Sequence, residues 1–376
     1  MKEILKVILK SIKTDISTLI RLKLQPSFFI LFFILHSSFF ILPLSVSAQQ
    51  VEWNVDAFGF FDNSEGNHTL RPTQTLAGMS ISPEVGLSWN NRQHAIMGGA
   101  NLITRWGSDE DALKVKALVY YQYQSPRFHF LIGNFMRDKL LGDYPEYLLA
   151  DTIRYYRPVV QGMAWQYLAD NGHFEAFLDW TSAISKKHRE QFMAGISTKF
   201  HFQHFLIGAE GYYYHYARRQ NSPIDEHIHD YLIAHPFIGL HYDQWAFLDQ
   251  LEIRGGLLAS LDRERNMEHG KYTPIGFLGE LQASRKNLQL KETVYAGANM
   301  QHFGSSHLGQ YYWGDTYTQA PFYSRTDLNY RFISNNFVNV YAGVIVNATH
   351  YGINHHQVIT LRLNLGSKNF KPIMLK

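Results

Sequence analysis

The sequence predicts an all-β fold: one closed transmembrane antiparallel β-barrel of about sixteen strands (14–18), preceded by an N-terminal signal peptide. Three observations carry that expectation. Polar and apolar residues take turns with period two along most of the chain. Short polar turns alternate with longer links. A basic, then apolar, then small-residue segment opens the sequence.

That opening segment is residues 1–48. Lys2, Lys6, Lys10, Lys13, Arg21 and Lys23 precede an apolar run at about 28–42, and Val46 and Ala48 supply the small residues of a cleavage site. The chain has 35 Lys+Arg and 32 Asp+Glu; residues 1–48 hold six and two of these, which leaves 29 against 30. The balance in 49–376 removes the electrostatic case for nucleic-acid binding. The absence of cysteine excludes disulfides, thiolate metal ligands and a thiol nucleophile. Beyond Ala48 no apolar run reaches the roughly 18 residues of a membrane helix. Residues 49–376 are expected to form the barrel.

Within the barrel the alternation is explicit. In 251–262, Leu251, Ile253, Gly255, Leu257, Ala259 and Leu261 share one face, while Glu252, Arg254, Ser260 and Asp262 share the other. In 322–332, Phe322, Thr326, Leu328, Tyr330 and Phe332 alternate with Tyr323, Arg325, Asp327, Asn329 and Arg331. Spans of about ten to fifteen residues suit a strand crossing a bilayer at a tilt. Hydrocarbon cannot satisfy free backbone groups, so every strand edge must be paired and the sheet must close. Tyr120, Tyr121, Tyr123, Tyr212, Tyr213, Tyr214 and Tyr216 fit one aromatic girdle, and Phe200, Phe202 and Phe205 the opposite one. Gly98-Gly99 and Gly255-Gly256 are expected to mark bulges or bends. Long links are expected at about 137–157, 301–320 and 348–354 among others, and a short turn near "YDQWAF".

Short turns on one side, longer loops on the other and an even strand count resemble the plan of general and substrate-selective bacterial porins. The resemblance covers the architecture of 49–366 and no specific motif. It implies a Gram-negative outer-membrane channel for passive diffusion of small hydrophilic solutes, narrowed by the third long loop, "RDKLLGDYPEYLLADTIRYYRP". Asp143, Glu146, Asp151, Arg154 and Arg157 on that loop, facing Lys114, Lys116, Arg254, Arg325, Arg331 and Arg362 on the wall, would form the pore constriction. In the seventh long loop, Tyr311, Tyr312, Trp313, Asp315 and Tyr317 combine ring faces with a carboxylate, the chemistry of saccharide contact. Belt and loop packing explain the same letters. The implied partners are outer-membrane lipid and lipopolysaccharide and the solutes themselves, with a homotrimer or a monomer equally open.

The alternative is a plugged recognition or scaffold barrel in a surface polysaccharide or secretion assembly. An outer-membrane hydrolase ranks below both, because the chain has no G-x-S-x-G and a rim set such as Ser222, Asp225 and His227 is one of many that can be drawn. The expectation is therefore a protein that is not an enzyme. The densest histidine groups are His227, His229 and His235 with Asp230, and His350, His355 and His356. No third ligand is fixed by their spacing, so neither a metal nor a cofactor is expected.

Overall fold

The computed structural model describes residues 49–67, 69–107, 113–222, 226–265, 267–304 and 310–367. The expected signal peptide, 1–48, lies outside the described residues. The first eight strands are β1 (Gln50–Gly66), β2 (Gln74–Trp89), β3 (His94–Arg105), β4 (Leu113–Gln124), β5 (Phe128–Met136), β6 (Val159–Ala169), β7 (Gly172–Ser182) and β8 (Gln191–Phe202). They are followed by β9 (Phe205–Tyr216), β10 (His229–Tyr242), β11 (Gln250–Glu264), the two-residue β12 (Lys271–Tyr272) and β13 (Ile275–Arg285). The chain closes with β14 (Leu288–Gly297), β15 (Phe322–Ser334), β16 (Val338–Thr349) and β17 (Gly352–Gly366).

Sixteen long strands thus run antiparallel to their neighbours, and β1 pairs with both β2 and β17, so the sheet has no free edge. The period-two pattern sorts the faces as the sequence requires. Ile253, Leu257, Leu328, Tyr330 and Ile359 stand exposed on the outer wall, while Glu52, Asp56, Glu175, Asp179, Glu210 and Glu280 are buried inside. A slip of one residue in any pairing would exchange these two sets, which is why the register is well specified. Runs of tyrosine divide the same way: Tyr120, Tyr212, Tyr214 and Tyr216 are buried in the interior, not in a girdle. Phe202 and Phe205 do stand exposed on either side of a short turn.

Three local expectations are corrected. The link expected at 348–354 is a two-residue turn between Thr349 and Gly352. Gly352 makes that turn at φ +137°, a conformation open to glycine. The "YDQWAF" turn is longer than expected, and β11 begins only at Gln250. Gly98-Gly99 and Gly255-Gly256 do not mark bulges, since the register runs through both pairs without a shift. They serve close approach instead: a Cβ on Gly256 would stand 1.9 Å from the Pro236 carbonyl, and one on Gly99 2.1 Å from that of Pro83.

The interior is filled from the long-loop end. The loop between β5 and β6 carries a short helix, α1 (Asp151–Tyr156), and turns back into the barrel. So does the loop between β14 and β15. Tyr147, Leu148, Tyr311, Trp313 and Tyr317 from the two loops are buried in one cluster with the inward Tyr212, Tyr214, Tyr231, Tyr295 and Tyr323. Each such ring contributes about 1.5–3 kcal/mol of apolar burial. The loops also bond each other, Ala150 N–H donating to the Trp313 carbonyl and Asp315 N–H to that of Glu146, both at 2.8 Å. Gly314 permits this contact, because a Cβ there would lie 2.1 Å from the Tyr147 carbonyl. Gly314→Val should therefore unseat both loops without opening the sheet. Trypsin would then cut after Arg154 in a barrel that keeps its heat-dependent electrophoretic shift; unchanged protection would show that the seat does not depend on this approach.

Candidate functional site

The loop carboxylates meet a cation that the sequence reading had already singled out. Arg325 on β15 is buried, with Nη2 3.1 Å from Asp151 and 4.0 Å from Glu146, Nη1 3.7 Å from Asp315, and Asp327 at 2.8 Å. Lys291 on β14 adds a 2.8 Å pair to Glu146. Burial pushes the Glu146 and Asp151 carboxyls up, but Lys291 and Arg325 at Glu146, and Arg325 at Asp151, overcome it and hold both below the ordinary carboxylate range. At Asp315 burial wins and the carboxyl is raised in spite of Arg71 and Arg325.

The other expected residues divide. Arg362 reaches Asp138 at 3.8 Å, and Arg157 stacks over Trp313 at 4.9 Å. Asp143 meets Lys199 at 3.9 Å, and Arg154 lines a cavity of about 660 Å³ that runs from the short turns up to the loop. Arg254 meets no loop carboxylate; it pairs with Glu280 (2.6 Å) and Glu210 (3.3 Å), and the loop contributes the Tyr147 hydroxyl to the same pair. Lys114 and Lys116 are not brought to the loop: they stand exposed on the start of β4, which outruns the nine-residue β5. Arg331 lies at the opposite end, donating to the Lys286 carbonyl beside a short turn. Lys291 and Lys199 were missed. Both follow from strict alternation, and Lys291 was obscured because its neighbour Glu292 sits on the apolar register, where Ser324 and Thr326 hydrogen-bond it.

The aromatic set of the seventh long loop is likewise turned inward. Tyr311, Trp313, Asp315 and Tyr317 are buried, and their faces are covered by His229 (3.7 Å between ring centres), Tyr214 and Tyr323. The ring surfaces needed to stack a saccharide are taken up by packing. The metal alternatives resolve in a similar way. Glu210, His235 and Glu280 bring ligand atoms within 4.8 Å of one another. Arg254 already supplies the cation there, and Tyr147 bonds both Glu210 and His235, so an added ion does not fit. His227 lies before β10 and bonds the Arg265 carbonyl, while His229, the first residue of that strand, lies 2.8 Å from Asp262 in the interior. Asp225 lies outside the described residues, which leaves the Ser222, Asp225 and His227 set without a geometry.

One corner assembles reactive types that no sequence motif announced. On β1, Asp62 and Ser64 point inward; on β17, Asn354 and His356 do. All four are buried at the long-loop end. His356 Nδ1 lies 2.8 Å from Asp62 Oδ1, while its Nε2 is buried with no hydrogen-bond partner among the described residues. An ionised carboxylate only accepts, so Nδ1 carries the proton and Nε2 is left as the basic nitrogen. Ser64 stands directly across from His356 in the β1–β17 register, and its hydroxyl is bonded with the Asn354 amide at 3.0–3.2 Å. Helix α1 covers the corner: Tyr155 stacks on Phe60 at 4.2 Å and its hydroxyl reaches 3.5 Å from Asp62 Oδ2. Arg71, from the loop after β1, pairs with Asp315 at 3.7 Å beside it. Hydroxyl, imidazole, carboxylate and amide together are the parts of an acyl-transfer site.

Comparison with known proteins adds an independent line. A family model described as lipid A 3'-O-deacylase-type matches residues 44–367. Among solved structures, outer-membrane expressed OmpT of Vibrio cholerae is similar over 86% of this chain and 99% of its own, at 11% identity and a TM-score of 0.52. A loop L8 deletion mutant of the same protein aligns over 85% of this chain and 100% of its own, at 12% identity and a TM-score of 0.51. Likeness at this identity concerns the fold, that of an outer-membrane β-barrel. No curated protein matches the chain. The family match corrects the expectation that the chain is not an enzyme, which rested on the lack of a linear serine-hydrolase motif.

The depressed carboxyls of Glu146 and Asp151 set an acid limit on the loop seat. Their stabilisation is fully present above the ordinary carboxylate pKa of about 4 and is lost as pH falls through their lower folded values. Asp315, being raised, opposes this by gaining a proton first. Thermal unfolding of the refolded barrel should hold steady from neutral pH to about 5 and fall below about 4, with a smaller acid drop in Glu146→Gln.

Proposed function

The chain belongs to the lipid A 3'-O-deacylase-type family, and on that premise we propose that it hydrolyses an ester-linked acyl chain of an outer-leaflet glycolipid at the Asp62–His356–Ser64 corner. The observation that carries this reading is the buried, unpartnered Nε2 of an imidazole oriented by a carboxylate, with a serine directly across the seam. Directly opposed residues of an antiparallel pair hold their Cβ atoms about 4.5–5.5 Å apart, close enough for a rotation of Ser64 to meet His356.

In this reaction Ser64 Oγ attacks the ester carbonyl carbon and its proton passes to His356 Nε2. Asp62 holds the imidazolium that forms. Asn354 Nδ2, freed as the hydroxyl turns, donates to the oxyanion. The sugar oxygen leaves with the proton from His356, and water then releases the acyl group from Ser64 by the same base. The corner is closed by α1 and the loop after β1, so their displacement precedes substrate entry. Its place at the long-loop ends of β1 and β17 puts it on the side that outer-membrane barrels turn towards the outer leaflet.

Passive diffusion of small hydrophilic solutes is the second reading. The cavity of about 660 Å³ between the short turns and the inward loop favours it. Asp143, Glu146, Asp151, Arg154, Arg325 and Lys291 would set the constriction. The two loops packed across the upper lumen weigh against it, and planar-bilayer conductance that rises on deleting 140–150 would support it.

For the hydrolase, refolded protein mixed with lipid A and followed by mass spectrometry should release one acyl chain. Ser64→Ala and His356→Ala should each slow this by about 10³-fold or more while keeping the heat-dependent migration of a folded barrel. Full activity in either variant would remove the corner from the chemistry.

A further inference from the structure

Residues on the outer wall of β9 to β12 do not match the lipid-facing band they continue. Leu232 and Ile238 of β10 and Ile253 and Leu257 of β11 are exposed and apolar. Towards the long-loop end the same faces turn polar, with Tyr213 and His215 on β9, Asp230 on β10 and Arg263 on β11. Asp230 is saturated. It takes Arg265 through Nε (2.5 Å) and Nη2 (3.0 Å), the Tyr213 hydroxyl (2.6 Å) and His215 Nδ1 (2.8 Å).

Arg263 is left out of this arrangement. Its register partner on one side is Asp230, whose oxygens go elsewhere, and on the other it is Lys271 of β12. Both Arg263 and Lys271 are exposed, and neither has an acidic partner among the described residues. Like charges placed directly opposite one another destabilise a strand pair. At the edge of a hydrocarbon layer, where water screens less, that penalty grows. An anion between the two cations reverses its sign, and guanidinium and ammonium groups suit phosphate oxygens. With Arg265 nearby, three cations face one carboxylate. Further along the same row of the wall, on β7 and β8, Trp180 and Phe192 stack at 5.3 Å, and Phe192 meets His215 of β9 at 5.1 Å, giving an apolar surface at the same level.

We propose that this patch binds the phosphorylated headgroup of an outer-leaflet glycolipid, with Arg263 and Lys271 on the phosphate and the acyl chains lying along Leu232 and Leu257. The continuity of the cations with the apolar wall selects a lipid over free phosphate, because only a lipid satisfies both surfaces at once. The site is on the outer wall, across the barrel wall from any reaction in the interior, and it does not depend on the hydrolytic reading.

The test is native mass spectrometry of the detergent-purified barrel, in a Ser64→Ala background so that turnover does not consume the ligand. The probes are a bisphosphorylated lipid A, the same lipid with both phosphates removed, and inorganic phosphate. The phosphorylated lipid should be retained about tenfold or more over the dephosphorylated one. Arg263→Gln with Lys271→Gln should abolish that preference, while Lys286→Gln with Arg331→Gln at the short-turn end should leave it intact. Equal retention of the two lipids, a preference that survives in the Arg263/Lys271 variant, or displacement of the lipid by millimolar inorganic phosphate would each overturn the proposal. Absence of acyl release by the barrel with Ser64 intact, with lipid binding preserved, would count against the hydrolase alone.

Discussion

A peptide group in hydrocarbon has nothing to bond except another peptide group, and the whole molecule follows from that constraint. It forces the strands into a ring, since an open sheet would leave two edges unpaired. Closure then divides every strand into an outer and an inner face. The outer face must be apolar where it meets lipid, and the inner face is free to carry charge. The long row of buried carboxylates from Glu52 to Glu280 is possible only because the ring has an inside.

An inside of this size must be filled with something. Here it holds two loops whose tyrosines, leucines and tryptophan pack against inward tyrosines of the wall, leaving water space chiefly towards the short turns. Charged groups taken into such an interior need partners, because an isolated buried ion is far more costly than a paired one. Arg325 answers this with four carboxylates drawn from two loops and its own strand, and Arg254 with two. The ion pairs therefore specify where the loops sit more than they add to stability. They also explain why Glu146 and Asp151 stay ionised while buried.

The proposed reactive corner and the proposed lipid patch lie on opposite sides of the same wall. The Asp62–His356–Ser64 corner is enclosed, with its imidazole held by one carboxylate and its cover pinned by the stacking of Tyr155 on Phe60. The Arg263–Lys271 patch is open and faces outward. The pairing of β17 with β1 matters to the corner, because its register places His356 opposite Ser64.

Strand number and the sorting of faces were legible in the sequence, because period two is a local property and hydrocarbon punishes any departure from it; the inward turn of the third loop was only what the resemblance to porins implied. Arg325, Arg254 and Arg362 were legible as inward-facing for the same reason. The pairing of those charges was not, since it depends on how far each strand outruns its neighbour; Lys114 and Lys116 looked equivalent to Arg325 and ended at an exposed edge. The reactive corner was also beyond the sequence. Asp62 and Ser64 are separated from Asn354 and His356 by nearly the whole chain, and only the closure of β1 on β17 makes them neighbours. Local alternation decided what each strand would show to either side; the ring decided which strands would meet.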